Sequence, residues 1–220
     1  MNTQGRIAEI LTNEQLMKIP VKDNGEKLVN LAEYSDSFVI EIEETSKKMQ
    51  ALEKGVCFSR ESVGKMLAKA QELLPKGYRF KIVDAYRPMS AQKEVYMQVF
   101  DDFKKLHKDW SDAQLESETD KWVANPKVIP PHTTGGALDL TIIDDKNLEL
   151  DMGTQINTSD AKAYTLSEDL KDSAKKNREI LINAMIGVGF VNNPREWWHW
   201  SYGDRRWAAT MKTSAIYGSV

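Results

Sequence analysis

His132, Asp139, Glu196 and His199 are the residues of this chain whose types and spacing best suit metal chemistry. Imidazole nitrogens and a carboxylate oxygen are ordinary zinc ligands, and a catalytic zinc takes three protein ligands and keeps one position for water. His132 stands in the run Pro130-Pro131-His132-Thr133-Thr134-Gly135-Gly136, and Asp139 follows within the apolar stretch Ala137–Ile143. The glycine pair lets the backbone turn back sharply, so the two side chains can converge on one ion. His199 closes Glu196-Trp197-Trp198-His199, three residues after a carboxylate that can serve as a general base. The pattern predicts one zinc ion per chain, held by His132, Asp139 and His199, with Glu196 working on the water. Plainer alternatives exist for each residue. A lone histidine after two prolines is usually structural, and Arg87 has Asp84 nearby as a simple ion-pair partner. Asp139 is harder to explain away, because a carboxylate buried in an apolar strand is costly without a partner.

The remaining reactive side chains carry less. His107, the third histidine, lies among Lys104, Lys105 and Lys108 and reads as a solvated helix end. Cys57 is the only cysteine and reads as a small buried residue. It excludes an intrachain disulfide and a thiolate zinc site of the Cys-x-x-Cys type.

These residues need elements to position them. Asn13-Glu14-Gln15-Leu16-Met17 begins a short helix that ends before Pro20, and Pro20–Gly25 reads as a turn. Leu28–Phe38 reads as a linker with Tyr34 in it, Phe38–Ile42 as a strand, and Glu43–Glu53 as a polar helix. From Ser59 to Leu74, Val63, Met66, Leu67, Ala70, Leu73 and Leu74 keep the spacing of one helical face, with Ser59 as N-cap. Tyr78–Asp84 alternates as a strand and leads into Arg87-Pro88. Ser90 is expected to cap a second long helix reaching about Lys108, with Val95, Val99, Phe100 and Phe103 on its core face. Ser111–Trp122 reads as a third, peripheral helix. Ala137–Ile143 reads as a buried strand, and Asp144–Asn147 as a hairpin turn into a return strand at Leu148–Leu150. Met152–Ala163 is irregular and polar, a candidate lid or pocket wall. Ser167 is expected to cap the helix Glu168–Met185, which Gly187 and Gly189 end. Phe190-Val191 and Trp197–Tyr202 should pair as strands, and the tail beyond Arg206 carries no readable signal. This order favours an α+β fold, a mainly antiparallel central sheet with helices flanking it and the zinc site at the sheet.

The totals suit an ordinary globular chain. At 220 residues, 41% hydrophobic, it is long enough to bury a sizeable core, and the simplest organisation is a single domain over 1–220. The net charge of −3 comes without a basic block, so nothing invites nucleic acid or a membrane surface. No signal-peptide pattern or membrane-length apolar run is visible, which points to the cytoplasm.

Asp84-Ala85-Tyr86-Arg87-Pro88, then His132 to Asp139, then Glu196-Trp197-Trp198-His199 together resemble the zinc D-alanyl-D-alanine dipeptidases, the vancomycin-resistance type included. The resemblance spans about residues 19–207. It implies zinc ligands at His132, Asp139 and His199, a catalytic base at Glu196 and an anion-stabilising Arg87. It also implies a pocket role for Asp84 and a small peptide as substrate. Tyr34 is a further substrate candidate. Two positions depart from the family pattern. Pro130 replaces a serine, and Asn157 stands where an acid helps hold the free amino end of the dipeptide. That second departure keeps a carboxypeptidase or endopeptidase acting on peptidoglycan peptides as an alternative. A non-catalytic zinc-containing binding module is the alternative from another class.

Overall fold

The computed structural model describes residues 7–42 and 56–220, so the helix expected over Glu43–Glu53 lies outside the described residues. Seven strands and six α-helices are described. In chain order they are α1 (Asn13–Met17), β1 (Leu28–Asn30), β2 (Val39–Ile40), β3 (Phe58–Arg60) and α2 (Glu61–Glu72). Then come β4 (Arg79–Asp84), α3 (Met89–Leu106), α4 (Asp112–Thr119) and β5 (Ala137–Ile143). α5 (Asp172–Val188), β6 (Val191–Asn192), β7 (His199–Ser201) and α6 (Arg205–Met211) complete the fold. Five strands form one sheet in the order β2-β4-β5-β7-β6. β2 runs parallel to β4, and the other neighbours are antiparallel. The fold is therefore α+β with a mainly antiparallel sheet, as expected.

β5 is the central strand, and all seven of its residues are buried. Side chains alternate across a strand. Leu138, Leu140 and Ile142 accordingly join the apolar core with Leu67 and Ala70 of α2 and Leu181 and Met185 of α5. Asp139 and Thr141 point to the other face. Register places Asp139 beside Asp84 on one side and His199 on the other. Two candidate ligands thus sit on adjacent strands at one level of the sheet.

Several helix starts differ from expectation. Ser59 does not cap α2: it lies inside β3, paired with Val29, and its hydroxyl donates to the Arg60 carbonyl. Strand pairing with β1 holds the chain extended until Arg60, so the helix begins at Glu61. Pro88, not Ser90, precedes α3, whose fixed φ suits that position. α3 buries Ala91, Gln92 and Tyr96, while Val95, Val99, Phe100 and Phe103 are only half-buried. α5 starts at Asp172, four residues later than expected, and Gly187 lies within it. Gly189 ends it in the left-handed conformation, φ 113°. α4 carries the capping box of Ser111 and Gln114.

The tail also carries structure. Tyr217 is buried, its hydroxyl donates to Glu26 at 2.8 Å, and the Val220 amide donates to the Thr133 carbonyl at 3.0 Å. The chain end therefore packs beneath the histidine turn. Among the described residues no helix is long and apolar enough to cross a membrane.

Gly136 marks the tightest approach in this region. A Cβ there would lie 2.3 Å from the Tyr202 carbonyl oxygen and 3.0 Å from the Tyr217 ring. Gly136→Ala is expected to lose about 1–3 kcal/mol of stability, because backbone and ring must both move. Urea denaturation of the two proteins checks this, and an unchanged midpoint would show that the close approach is not needed.

Candidate metal centre

A one-turn 3-10 helix, Pro131–Thr134, presents His132, and Gly135 closes it in the left-handed conformation at φ 71°. Proline at the start of that turn loses nothing, since its missing N–H has no partner there. Arg60 holds the turn from behind: its Nε donates to the Thr134 carbonyl at 2.7 Å, and its amide to that of Gly135 at 2.8 Å. Just upstream, Ile129 is left-handed at φ 57°, a strained conformation for a β-branched residue that costs on the order of 1–3 kcal/mol.

The three candidate ligands meet. One donor atom from each of His132, Asp139 and His199 lies within 4.8 Å of the others, and all three residues are buried. His132 Nε2 is 3.4 Å from Asp139 Oδ2, and His199 Nδ1 is 2.9 Å from Asp139 Oδ1. The far nitrogen of each ring is occupied. His132 Nδ1 donates to the Ala85 carbonyl at 2.7 Å, and His199 Nε2 lies 3.3 Å from Ser201 Oγ. Such outer partners fix which nitrogen faces a metal. The donor set and its support therefore fit a divalent ion such as zinc.

The electrostatics agree. Burial alone would raise the Asp139 carboxyl, but the two imidazoles override it and hold it well below the usual carboxylate range. Burial disfavours charge on His132 as well, yet Asp139 and Asp84 raise it to about 9. In the absence of a cation the pocket thus draws a proton to balance its carboxylate.

Glu196 lies on the β6–β7 connection, with Oε2 3.8 Å from His199 Nδ1. Asn193 Nδ2 donates to that oxygen at 2.7 Å, and Asn192 Nδ2 donates to the carbonyls of Glu196 and His199. Arg87 donates to Asp84 Oδ2 and, at 3.1 Å, to Gln92 Oε1, while its amide donates to the His132 carbonyl at 3.0 Å. The ion pair with Asp84 is present, and it leaves Arg87 on the wall of the cleft that holds the three ligands, Glu196 and Asn157. Asp84 itself sits behind Arg87 and is buried. Tyr34 does not line that cleft; its ring packs over Gly64 of α2. His107 stacks on Trp110 at the end of α3, with ring centroids 3.8 Å apart. Burial, with Asp84 adding to it, pushes the Cys57 thiol up to about 12 and keeps it inert.

The model of the D-Ala-D-Ala dipeptidase family matches residues 32–215. The chain belongs to this family. The D-alanyl-D-alanine dipeptidase of Synechocystis sp. is 32% identical over 151 residues, covering 58% of this chain and 60% of that protein. The one from Escherichia coli K12 is 29% identical over 123 residues, covering 56% and 54%. The chain thus aligns with less than two thirds of either relative. Two solved structures overlay at 18% identity. VanYB in complex with D-alanine-D-alanine has a TM-score of 0.39, covering 72% of this chain and 80% of that one. A variant of the vancomycin-resistance D,D-pentapeptidase VanY with Zn(II) has a TM-score of 0.41, covering 90% and 92%.

Within the family match, sequence reasoning missed the supports: Arg60, Gln92, Asn192, Asn193 and Ser201. Ser201 was findable, since two residues after His199 on a strand it shares that histidine's face. Gln92, one turn into α3, carries no such signal.

Proposed function

We propose that this chain is a zinc-dependent hydrolase of D-Ala-D-Ala or a related D-configured dipeptide. The observation that carries the reading is the convergence of His132, Asp139 and His199 beside Glu196, in one cleft with Arg87. The family match supports it, as does the D-alanyl-D-alanine dipeptidase activity for which both relatives are named.

His132, Asp139 and His199 would hold the metal. Zinc, when bound, supplies Lewis acidity, polarising the peptide carbonyl and making water a better nucleophile near neutral pH. Glu196, held by Asn193, takes the proton of the attacking water and passes it to the leaving amine. Arg87 turns its guanidinium toward the oxygen that becomes negative. Asp84 and Gln92 keep that guanidinium in place. Burial of the three ligands strengthens the interactions among them by excluding water.

One observation favours a second reading. Asn157 lines the cleft with a neutral side chain, so it attracts an ammonium less than an acid would. A carboxypeptidase trimming peptidoglycan peptides needs no ammonium contact. Zinc-loaded protein is expected to release D-alanine from free D-Ala-D-Ala at least about tenfold faster than from its N-acetylated form, a preference worth about 1.4 kcal/mol. Mass spectrometry of the products reads the two rates. Cleavage of the acylated peptide alone would replace the dipeptidase reading with the carboxypeptidase one.

A further inference from the structure

The cleft extends past the three candidate ligands to Asp204, Arg205 and Arg206, where α6 begins. Its volume of about 440 Å³ is that of a pocket enclosing a whole small ligand. Arg205 lies six residues after His199, and Val128 four before His132. Arg205 Nη1 donates to the Val128 carbonyl at 3.0 Å, so this guanidinium ties together the two segments that deliver the histidines.

That bond uses one of the five N–H donors of Arg205, and its buried Nε has no acceptor. The Arg206 Nε is buried too, and among the described residues it has no acceptor. Burial lowers the pKa of Arg205, the mark of a cation short of hydration and of counter-charge. The neighbouring Asp204 does not supply that charge: Oδ1 caps the Trp207 amide at 2.8 Å, and Oδ2 has no hydrogen-bond partner. The buried arginines Arg60 and Arg178, unlike this half-buried pair, are engaged. Arg60 reaches Asp23 and the carbonyls of Glu26 and Thr134, and Arg178 reaches those of Met152, Lys162 and Tyr164. Arg87, on the same cleft wall, also leaves its Nε unpaired but is tied to Asp84 and Gln92, so the least engaged half-buried guanidiniums there are those of Arg205 and Arg206. Pro130 and Pro131, which line the same cleft, have neither a backbone N–H nor a side-chain donor.

We propose that Arg205 and Arg206 hold the free carboxylate end of the peptide substrate. This rests on the hydrolase reading and adds which residues seat the C-terminal end of its substrate. A guanidinium presents two parallel N–H groups that match a carboxylate, and a desolvated one gains most from the match.

Binding of D-Ala-D-Ala and of its C-terminal amide to zinc-loaded Glu196→Gln protein, with and without Arg206→Ala, tests the proposal by calorimetry. Glu196→Gln keeps the peptide intact during the titration. The free acid is expected to bind more tightly than the amide. Arg206→Ala is expected to weaken the acid about 10- to 100-fold and the amide hardly at all, as loss of a charge-assisted hydrogen bond does. Arg206→Lys should recover part of the loss, because the charge remains without the fork. Equal weakening of both peptides, no weakening, or no binding of either would overturn the anchor. If Arg206→Ala melts early or does not fold, Arg206→Lys and Arg205→Ala carry the same acid-against-amide comparison. The hydrolase reading fails separately. Wild-type protein that prefers the acid in an Arg206-dependent way but cleaves neither peptide keeps the anchor and loses the catalysis.

Discussion

Glu196→Ala is expected to slow dipeptide turnover about 10²- to 10⁴-fold while the metal stays bound. The side chain is 41% exposed and lies outside the ligand cluster, so its loss removes no coordinating atom. The connection that carries it is held through the backbone. Its amide donates to the Asn193 carbonyl at 3.1 Å, and its carbonyl accepts from Asn192 Nδ2 at 3.3 Å. Neither bond needs the carboxylate, so the fold should survive. Glu196→Gln separates chemistry from shape. The amide fills the same space and can still meet Asn193, but it cannot take a proton at neutral pH. Turnover by the glutamine variant near the wild-type rate would make Glu196 a spacer, and the proton would need another acceptor. Steady-state kinetics beside metal analysis of the purified variants distinguishes these results.

That Glu196 could be read from the chain at all follows from spacing. Glu196 and His199 are close in sequence, and the strand His199–Ser201 begins where the apolar alternation does. His132 and Asp139 are legible for a similar reason, since a Pro- and Gly-rich turn running into a mostly apolar, fully buried strand leaves little choice of geometry. Helix starts were less legible. Ser59 and Ser90 are good capping residues by type, yet a long-range strand pairing and a proline decide where α2 and α3 begin. Tertiary partners outweigh a local preference worth about 1 kcal/mol. Tyr34 illustrates the same limit: an aromatic in a linker is a fair substrate candidate until a glycine on a distant helix, Gly64, offers it a flat bed. The tail was opaque because Tyr217 and Val220 act through Glu26 and Thr133, contacts that local periodicity cannot register. The same holds for Arg60, whose buried guanidinium connects the turn at Thr134 to Asp23.

His199→Ala is expected to do what Glu196→Ala does not: abolish metal retention, and with it turnover. A cluster of three donors loses one, and Asp139 loses the closer of its two imidazoles, the one at 2.9 Å. Two ligands do not make the closed set that retains zinc through purification. The readout need not be activity. An ion that binds only the folded protein stabilises it by about 2.7 kcal/mol when present at a hundred times its dissociation constant. Wild-type protein stripped with a chelator should therefore melt several degrees higher when zinc is restored, and Glu196→Ala should show the same rise. His199→Ala should show none. Ser201→Ala belongs between them, because it leaves the ligand in place and removes only the oxygen 3.3 Å from its far nitrogen. Loss of such a support typically weakens metal affinity about 10- to 100-fold. A full zinc-dependent rise in His199→Ala would place the ion elsewhere, and the three-residue cluster would then be an ordinary buried ion-pair network.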